Sequence, residues 1–358
     1  MAKIALITDT HAGVRNDNPA FQQYQKRCYK WFLDYIDQYK IKHVIHLGDI
    51  YDRRKYVNFL SAKRVREDFL DPLEDRGIET HIIQGNHDSY YKDTHEVNAL
   101  DELLAGRYSF ITTHSLPNII NIDGLDIQIM PWITKTTYDV SMDVINYPRA
   151  EILMGHLELN GFQMHRGAIS DHGMDRLTFD KFDKVYSGHY HHRSTIGNVS
   201  YLGAFAEYTW SDYNDDRGFS IFDTETRQIE FLKNPYKMFR IAKYDDVANP
   251  NIIEKIQNTD FSKYANTYVK MVIINKSNPY AFDLLFDSIY KTGPLDIQIV
   301  EDASVLLENE EMVEVDEAED TATILRKYIS GLTLSVDNDK MKEFMLDVYN
   351  EALQVETV

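Results

Sequence analysis

One cysteine in 358 residues, Cys28, excludes an internal disulfide. In "QKRCYKWF" it reads as a residue on a helix face rather than a nucleophile, because no base or glycine-rich loop surrounds it. Long apolar runs are also missing. None approaches the roughly 20 residues a membrane-crossing helix needs, and "IALI" gives way to "TDTH" too soon for a signal peptide. The expectation is a soluble, unexported, cytoplasmic protein with no membrane partner. Positive charge is scarce as well: 38 Lys and Arg face 57 Asp and Glu, a formal net charge of -19. Affinity for phosphates comes largely from Lys and Arg, so this deficit weighs against a nucleic-acid partner. Part of it is local, however. Residues 301–320, "EDASVLLENEEMVEVDEAED", hold ten acidic and no basic residues, which leaves about -9 for the remainder. A site that binds divalent cations also wants carboxylates around it. No internal repeat is present, and no low-complexity tract beyond the acidic run.

The length exceeds one typical domain, and a hydrophobic content of 43% supports a sizeable core. Residues 3–8, 43–47 and 79–83 are compact apolar runs, each ending at a polar turn. They read as buried strands. Between them "AFQQYQKRCYKWFLDYIDQY" and "FLSAKRVREDFLDPLEDR" carry apolar residues at helical spacing. Strand, helix, strand, helix, strand predicts parallel pairing with right-handed crossovers, and turns gathered along one sheet edge. From about Tyr108 shorter strands follow, "YSFITT", "NIINI", "DIQIMPW", "EILMGH", "KVYSGH", "VSYLGA", "GFSIFDT" and "QIEFL". They predict a second sheet packed on the first, with antiparallel pairs. The fold class expected is α/β: two packed mixed β-sheets flanked by helices over residues 1–235, then a small αβ capping domain at 236–300. Residues 301–320 read as an acidic linker and 321–358 as a helix pair. On its second helix Met341, Phe344, Met345, Val348, Tyr349 and Leu353 make an apolar stripe with no core of its own to join.

Five strand ends share one chemistry. The first carries Asp9 and His11 ("ITDTHAG"), the second Asp49 and Asp52 ("LGDIYDRR"), the third Asn86, His87 and Asp88 ("QGNHDS"). Two later ones carry His156 ("LMGHLE") and His189 with His191 ("YSGHYHH"). Taken singly each has a bland explanation: a strand-terminal Asp caps a helix, "GNHD" makes a polar turn, a lone His packs. Five in order, each after an apolar run, favour a site. Imidazoles mixed with carboxylate and amide oxygens suit manganese, iron or zinc, and an oxygen-rich mixture suits two ions rather than one tetrahedral zinc. Two cations ~3.5 to 4 Å apart that share a carboxylate activate a water and clamp a phosphoryl group.

In the order D-x-H, GD-x-x-D, GNHD, GH, GH-x-H, residues 1 to about 232 resemble the calcineurin-like metallophosphoesterases. With the appended αβ domain, the helix pair and the "GDIYDRR" form, the chain is most similar to SbcD-type nuclease subunits of DNA double-strand-break processing complexes. Its compact length is similar to the recombination-endonuclease subunits of tailed phages. The resemblance implies Asp9, His11, Asp49 and His191 around one metal, and Asp49, Asn86, His156 and His189 around the other, with Asp49 bridging. Two divalent metal ions, manganese preferred, would partly offset the acidic charge. His87 would protonate the leaving oxygen as general acid, with Asp88 orienting its imidazole.

It further implies a metal-dependent hydrolase: 3′ to 5′ exonuclease action on duplex DNA, endonuclease action on single strands, and a function in DNA repair and recombination. A homodimer built from helices near 58–76 and 94–105 follows, as does a coiled-coil SbcC-type ATPase partner bound through residues 321–355, where Met341, Phe344, Met345, Val348 and Tyr349 would dock. Arg53, Arg54 and Lys55 could contact the DNA backbone, as could Lys63, Arg64 and Arg66, while Tyr90, Tyr91 and Tyr208 could stack on splayed bases. His43, His46 and His81 read as packed residues, and His192 points away from His191 if the segment is extended. Two rivals are a phosphomonoesterase or cyclic-nucleotide phosphodiesterase of the same superfamily, which would have little need for residues 236–355, and a non-catalytic assembly subunit that keeps the fold for its shape.

Overall fold

The three leading apolar runs become adjacent parallel strands in the computed structural model, which describes residues 2–301 together with Lys340, Met341, Phe344 and Met345. In chain order the strands are β1 (Lys3–Ile7), β2 (His43–His46), β3 (Glu79–Ile83), β4 (Ile111–His114), β5 (Asn118–Ile122), β6 (Leu125–Met130), β7 (Ile152–His156), β8 (Gln163–His165), β9 (Ala168–Ile169), β10 (Lys184–Gly188), β11 (Ser194–Ile196), β12 (Val199–Tyr201), β13 (Gly218–Asp223), β14 (Ile229–Lys233), β15 (Phe239–Asp245), β16 (Tyr268–Asn275) and β17 (Asp296–Val300). One sheet runs β14-β13-β1-β2-β3-β4 and the other β11-β12-β10-β7-β6-β5.

One expectation is corrected here. The strands after Tyr108 do not all enter the second sheet: β4 extends the first sheet beside β3, β13 returns to pair antiparallel with β1, and β14 pairs antiparallel with β13 at the edge. In the second sheet antiparallel pairing is confined to the β5 and β11 edges, while β6, β7, β10 and β12 are parallel. β7 is buried at every residue, and a strand covered on both faces is characteristic of parallel sheets.

Ile4, Leu6, Ile45, Leu47 and Ile83 of the first sheet meet Ile127, Ile129, Ile152 and Met154 of the second in a dry layer between them. The outer face of the first sheet is closed by the helix Pro19–Tyr39, whose Tyr24, Cys28, Phe32 and Ile36 point inward. Cys28 is part of that core, where burial pushes its thiol up to about 12, so it is no nucleophile. The stretch expected to be a second long helix is broken. Phe59–Val65 and Asp71–Asp75 are α-helical, joined by a π-helical turn at Arg66–Leu70 in which the Asp71 amide reaches back to the Arg66 carbonyl. Pro72 explains the break, since proline has no N–H for the regular ladder.

Residues 239–300 form a three-stranded parallel sheet, β15-β16-β17, covered by helices Ile252–Gln257 and Pro279–Tyr290 around a core of their own. It is not separate from what precedes it. Phe239 lies against Phe21 and Trp210, and buried Glu207 accepts from the amides of Met238 and Phe239. Residues 2–301 accordingly lie within one compact unit. In a second unit, Lys340, Met341, Phe344 and Met345 are helical and Phe344 is exposed. The expected acidic linker beyond Glu301, the rest of the helix pair, Val348 and Tyr349 lie outside the described residues. Among the described residues no helix is long and apolar enough to cross a membrane.

Candidate active site

Parallel strands end together, and the C-terminal ends of β1, β2, β3, β7 and β10 bring their turns to one place. The first two turns continue side by side past the sheet, the amides of Asp9 and His11 donating to the carbonyls of Gly48 and Asp49. Asp9, His11, Asp49 and His189 all have positive φ, at 50°, 42°, 56° and 86°. A left-handed conformation at a non-glycine residue costs about 1 to 3 kcal/mol and persists where the surroundings over-determine it. Four such residues among seven candidate ligands mark the place where the fold tolerates strain to aim side chains. Gly85 serves the same end, because a methyl there would overlap the Asp49 carboxylate, and one at Gly48 would overlap the His156 ring.

The donors converge. His11 Nε2 and His191 Nε2 are 3.0 Å apart, with Asp9 Oδ1 3.9 Å from the former. Asn86 Oδ1 is 2.9 Å from His156 Nε2 and 3.1 Å from His189 Nδ1. Between these two sets stands Asp49. Its Oδ1 accepts from the His87 amide at 2.8 Å, while Oδ2 lies 3.3 Å from His156 Nε2 and 3.9 Å from His11 Nε2. Adjacent donors around an ion with bonds of roughly 2.1 Å lie about 3 Å apart, so these separations fit the edges of two coordination shells meeting at Asp49. Orientation is fixed from behind. His156 Nδ1 donates to the Leu47 carbonyl at 2.7 Å, and Asp52 Oδ1 lies 3.5 Å from His11 Nδ1, which leaves each Nε2 to the site.

Electrostatics suit cations. Burial, with neighbouring imidazoles, holds His11 and His189 well below the usual histidine value, so both are neutral with lone pairs available. Burial would raise the Asp49 carboxyl, but His156, His87 and His11 together hold it well below the carboxylate range. Burial would likewise lower His156, and Asp49, with Asp9 behind it, pushes it up to about 9 instead. A cation taking His156 must displace that proton.

His87 is where the reading of its neighbour changes. Its Nδ1 is 2.6 Å from the carbonyl of Asp52, which can only accept, so Nδ1 carries the hydrogen and the exchangeable proton is at Nε2. Asp88 was expected to orient this ring. Instead its carboxylate accepts from the amides of Asp49, Ile50, Tyr51 and Gly85 at 2.9 to 3.1 Å, tying the second turn to the third. Burial and the Asp49 charge push the Asp88 carboxyl up to about 7 against those amides. The catalytic role read for Asp88 is therefore corrected: it shapes the turns, and the Asp52 carbonyl orients the imidazole.

Other expected residues divide. Arg53 is engaged by Asn16, Tyr56 and Asp17, Arg54 is half-buried, and Lys55 is exposed, all just past Asp52. Tyr90 and Tyr91 are exposed, but Tyr208 is 1% exposed and unavailable for base stacking. His192 Nδ1 meets Asp215, and His46 Nε2 meets Thr10. Sequence reasoning missed Trp132, whose ring lies 5.0 Å from that of His189. It also missed Gln25, whose amide donates to the carbonyls of Thr10 and His11. Neither has a spacing signal, since each reaches the site from a distant element.

A family model described as calcineurin-like phosphoesterase matches residues 2–193. The chain is 29% identical to "Exonuclease subunit 1" of Enterobacteria phage T4 over 98% of this chain and 100% of the relative. It is 24% identical to the D subunit of the SbcCD nuclease from Staphylococcus epidermidis over 96% and 99%. To the protein of the same name from Staphylococcus saprophyticus it is 22% identical, over 77% and 79%.

Proposed function

The chain belongs to the calcineurin-like phosphoesterase family, and from that premise we propose that it is the nuclease subunit of a DNA-break processing complex. The enzyme is a metal-dependent phosphodiesterase. The observation that carries the reading is the division of labour at Asp49, with one oxygen fixed by a backbone amide and the other shared between two sets of donors. Asp9, His11, Asp49 and His191 would hold one divalent cation, and Asp49, Asn86, His156 and His189 a second. Such cations supply Lewis acidity, making water nucleophilic at neutral pH and drawing charge off the phosphoryl oxygens. The remaining work belongs to the chain. His87, its Nδ1 fixed by the Asp52 carbonyl, offers its other nitrogen to the departing sugar oxygen and gives it a proton. The rigid turn holds metal binding and proton donation in register through adjacent residues.

The finer reading is manganese as the preferred ion, 3′ to 5′ exonuclease action on duplex ends and endonuclease action on single strands. Relatives named as exonuclease and SbcCD subunits, matched over most of the chain, support DNA as substrate and an assembly with a second subunit. The partner is a coiled-coil ATPase of the SbcC type, docked on residues 321–355. A homodimer through residues 58–76 and 94–105 is supported by Phe59, 94% exposed beside exposed Leu60.

The test is digestion of end-labelled duplex and single-stranded DNA in manganese and in EDTA, with and without the ATPase. Cleavage in manganese alone is expected. Hydrolysis of a small aryl phosphodiester without cleavage of any DNA would overturn the nuclease reading.

A further inference from the structure

The segment that follows β12 and leads into β13 lies beyond the stretch matched by the family model, yet it reaches under the site. Tyr208 is buried, and its hydroxyl is 2.9 Å from the carbonyls of both Asp9 and Thr10, donating between them. These carbonyls belong to the turn in which Asp9 and His11 are held at positive φ. The Tyr208 ring stands edge-on to His11 at 5.5 Å between centroids and 6.0 Å from His191. One side chain thus braces the backbone of the turn and packs against two imidazoles of the same donor set.

Arg217 completes the brace. It is 1% exposed, and its Nη1 donates to the carbonyl of His191 and to Asp215, its Nη2 to Asp212 Oδ1 at 2.6 Å. The other Asp212 oxygen accepts from the amides of Tyr208 and Thr209 at 2.6 and 2.9 Å. Tyr208, Asp212 and Arg217 therefore form one hydrogen-bonded body that ends on Asp9, Thr10 and His191. Among the described residues, none of the hydrogen bonds of these three side chains reaches Asn86, His156 or His189. His156 is fixed instead by the Leu47 carbonyl, and His189 meets this body only at one remove, its amide donating to the Asp9 carboxylate.

We infer that Tyr208 and Arg217, linked through Asp212, are positioning residues for one of the two cation positions, that of Asp9, His11 and His191, and set its affinity independently of the other. The inference rests on the two-cation reading proposed above. The physical reason is lever arm: a side chain that loses its backing shifts its donor atom, and loss of an outer partner weakens metal affinity by roughly 10- to 100-fold. Only the donors that this body touches should respond.

The test uses the full chain stripped of metal. Mn2+ is titrated calorimetrically into wild type, Tyr208→Phe and Arg217→Lys, ions per chain are counted by elemental analysis, and melting of the stripped proteins is followed. Tyr208→Phe removes the hydroxyl and keeps the ring, while Arg217→Lys keeps the charge but cannot serve both carboxylates and the His191 carbonyl together. Wild type is expected to take two ions per chain. Each variant should bind one ion with wild-type affinity and the other about 10- to 100-fold more weakly, with melting of Tyr208→Phe nearly unchanged. Both sites weakening in step with the melting temperature, or neither changing, would overturn the inference while leaving the two-cation reading intact. A wild-type chain that takes fewer than two ions would overturn that reading, and the inference with it.

Discussion

At the scale of single residues, neighbours in the chain hold quite different offices. Asn86 Oδ1 faces two imidazole nitrogens, His87 turns its Nδ1 to a carbonyl, and Asp88 gathers four amides. Two substitutions in this one turn should therefore fail in two different ways. His87→Ala should lower turnover by about 10²- to 10⁴-fold, the range of general acid catalysis, with metal content by elemental analysis unchanged. Because a nitrogen of His87 also lies within 4.8 Å of donor atoms of His11 and Asp49, loss of metal in this variant would make it a ligand instead. Asp88→Asn should act on folding, since an amide presents N–H groups to N–H donors. Leaving buried amides unmatched costs about 1 to 3 kcal/mol each, so its melting temperature should drop clearly. A variant with wild-type melting and slowed chemistry would restore Asp88 to the proton-transfer machinery.

Elements decide how these residues meet. Gly85 ends the apolar run of β3 where the third turn crosses the second, and Gly85→Ala should displace Asp49 and abolish uptake of both ions in a titration. Retained binding of two ions would show that the turns are not so closely packed. On the far edge of the same sheet, neighbouring β3 and β4 place His81 Nδ1 2.9 Å from His114 Nε2. One ring donates and the other accepts, so the accepting nitrogen carries no proton, and burial lowers His81 below the usual histidine value. Burial, then the His81 neighbour, lowers His114 from 6.5 to about 4. A histidine depressed in the folded state is protonated first in the unfolded one. Stability is therefore full above about pH 6.5 and falls toward pH 4, by on the order of 1 kcal/mol per pH unit from this group. Urea melts across that range should show a shallower slope for His114→Gln, and an unchanged slope would remove His114 as the cause. The strand-end positions of the candidate ligands were legible because every one follows a compact apolar run. Which sheet a strand joins was not. The run "GFSIFDT" has the same period wherever it pairs, and its partner β1 lies some 215 residues earlier, at a distance that local pattern does not encode. Tyr208 and Arg217 were hidden for the same reason, their partners being set by the completed fold.

For the molecule as a whole, cations would offset part of the acidic charge: the site gathers buried carboxylates with the neutral imidazoles of His11 and His189, a lining that suits bound cations. Dialysis against EDTA should accordingly lower the melting temperature and abolish hydrolysis, and manganese should restore both. A melting temperature indifferent to metal would mean that the turns are self-supporting. The β-α-β-α-β order of residues 239–300 was readable from its alternating periods. Its attachment through Glu207 and Phe239 was not, since a buried glutamate bonded to backbone amides has no sequence signature. The measurement that bears most directly on the central claim is anomalous diffraction from a crystal of this chain soaked in manganese. Two peaks roughly 3.5 to 4 Å apart, with Asp49 Oδ2 between them and His11 and His156 on opposite sides, are the predicted result. A single peak, or two peaks that do not share Asp49, would contradict it.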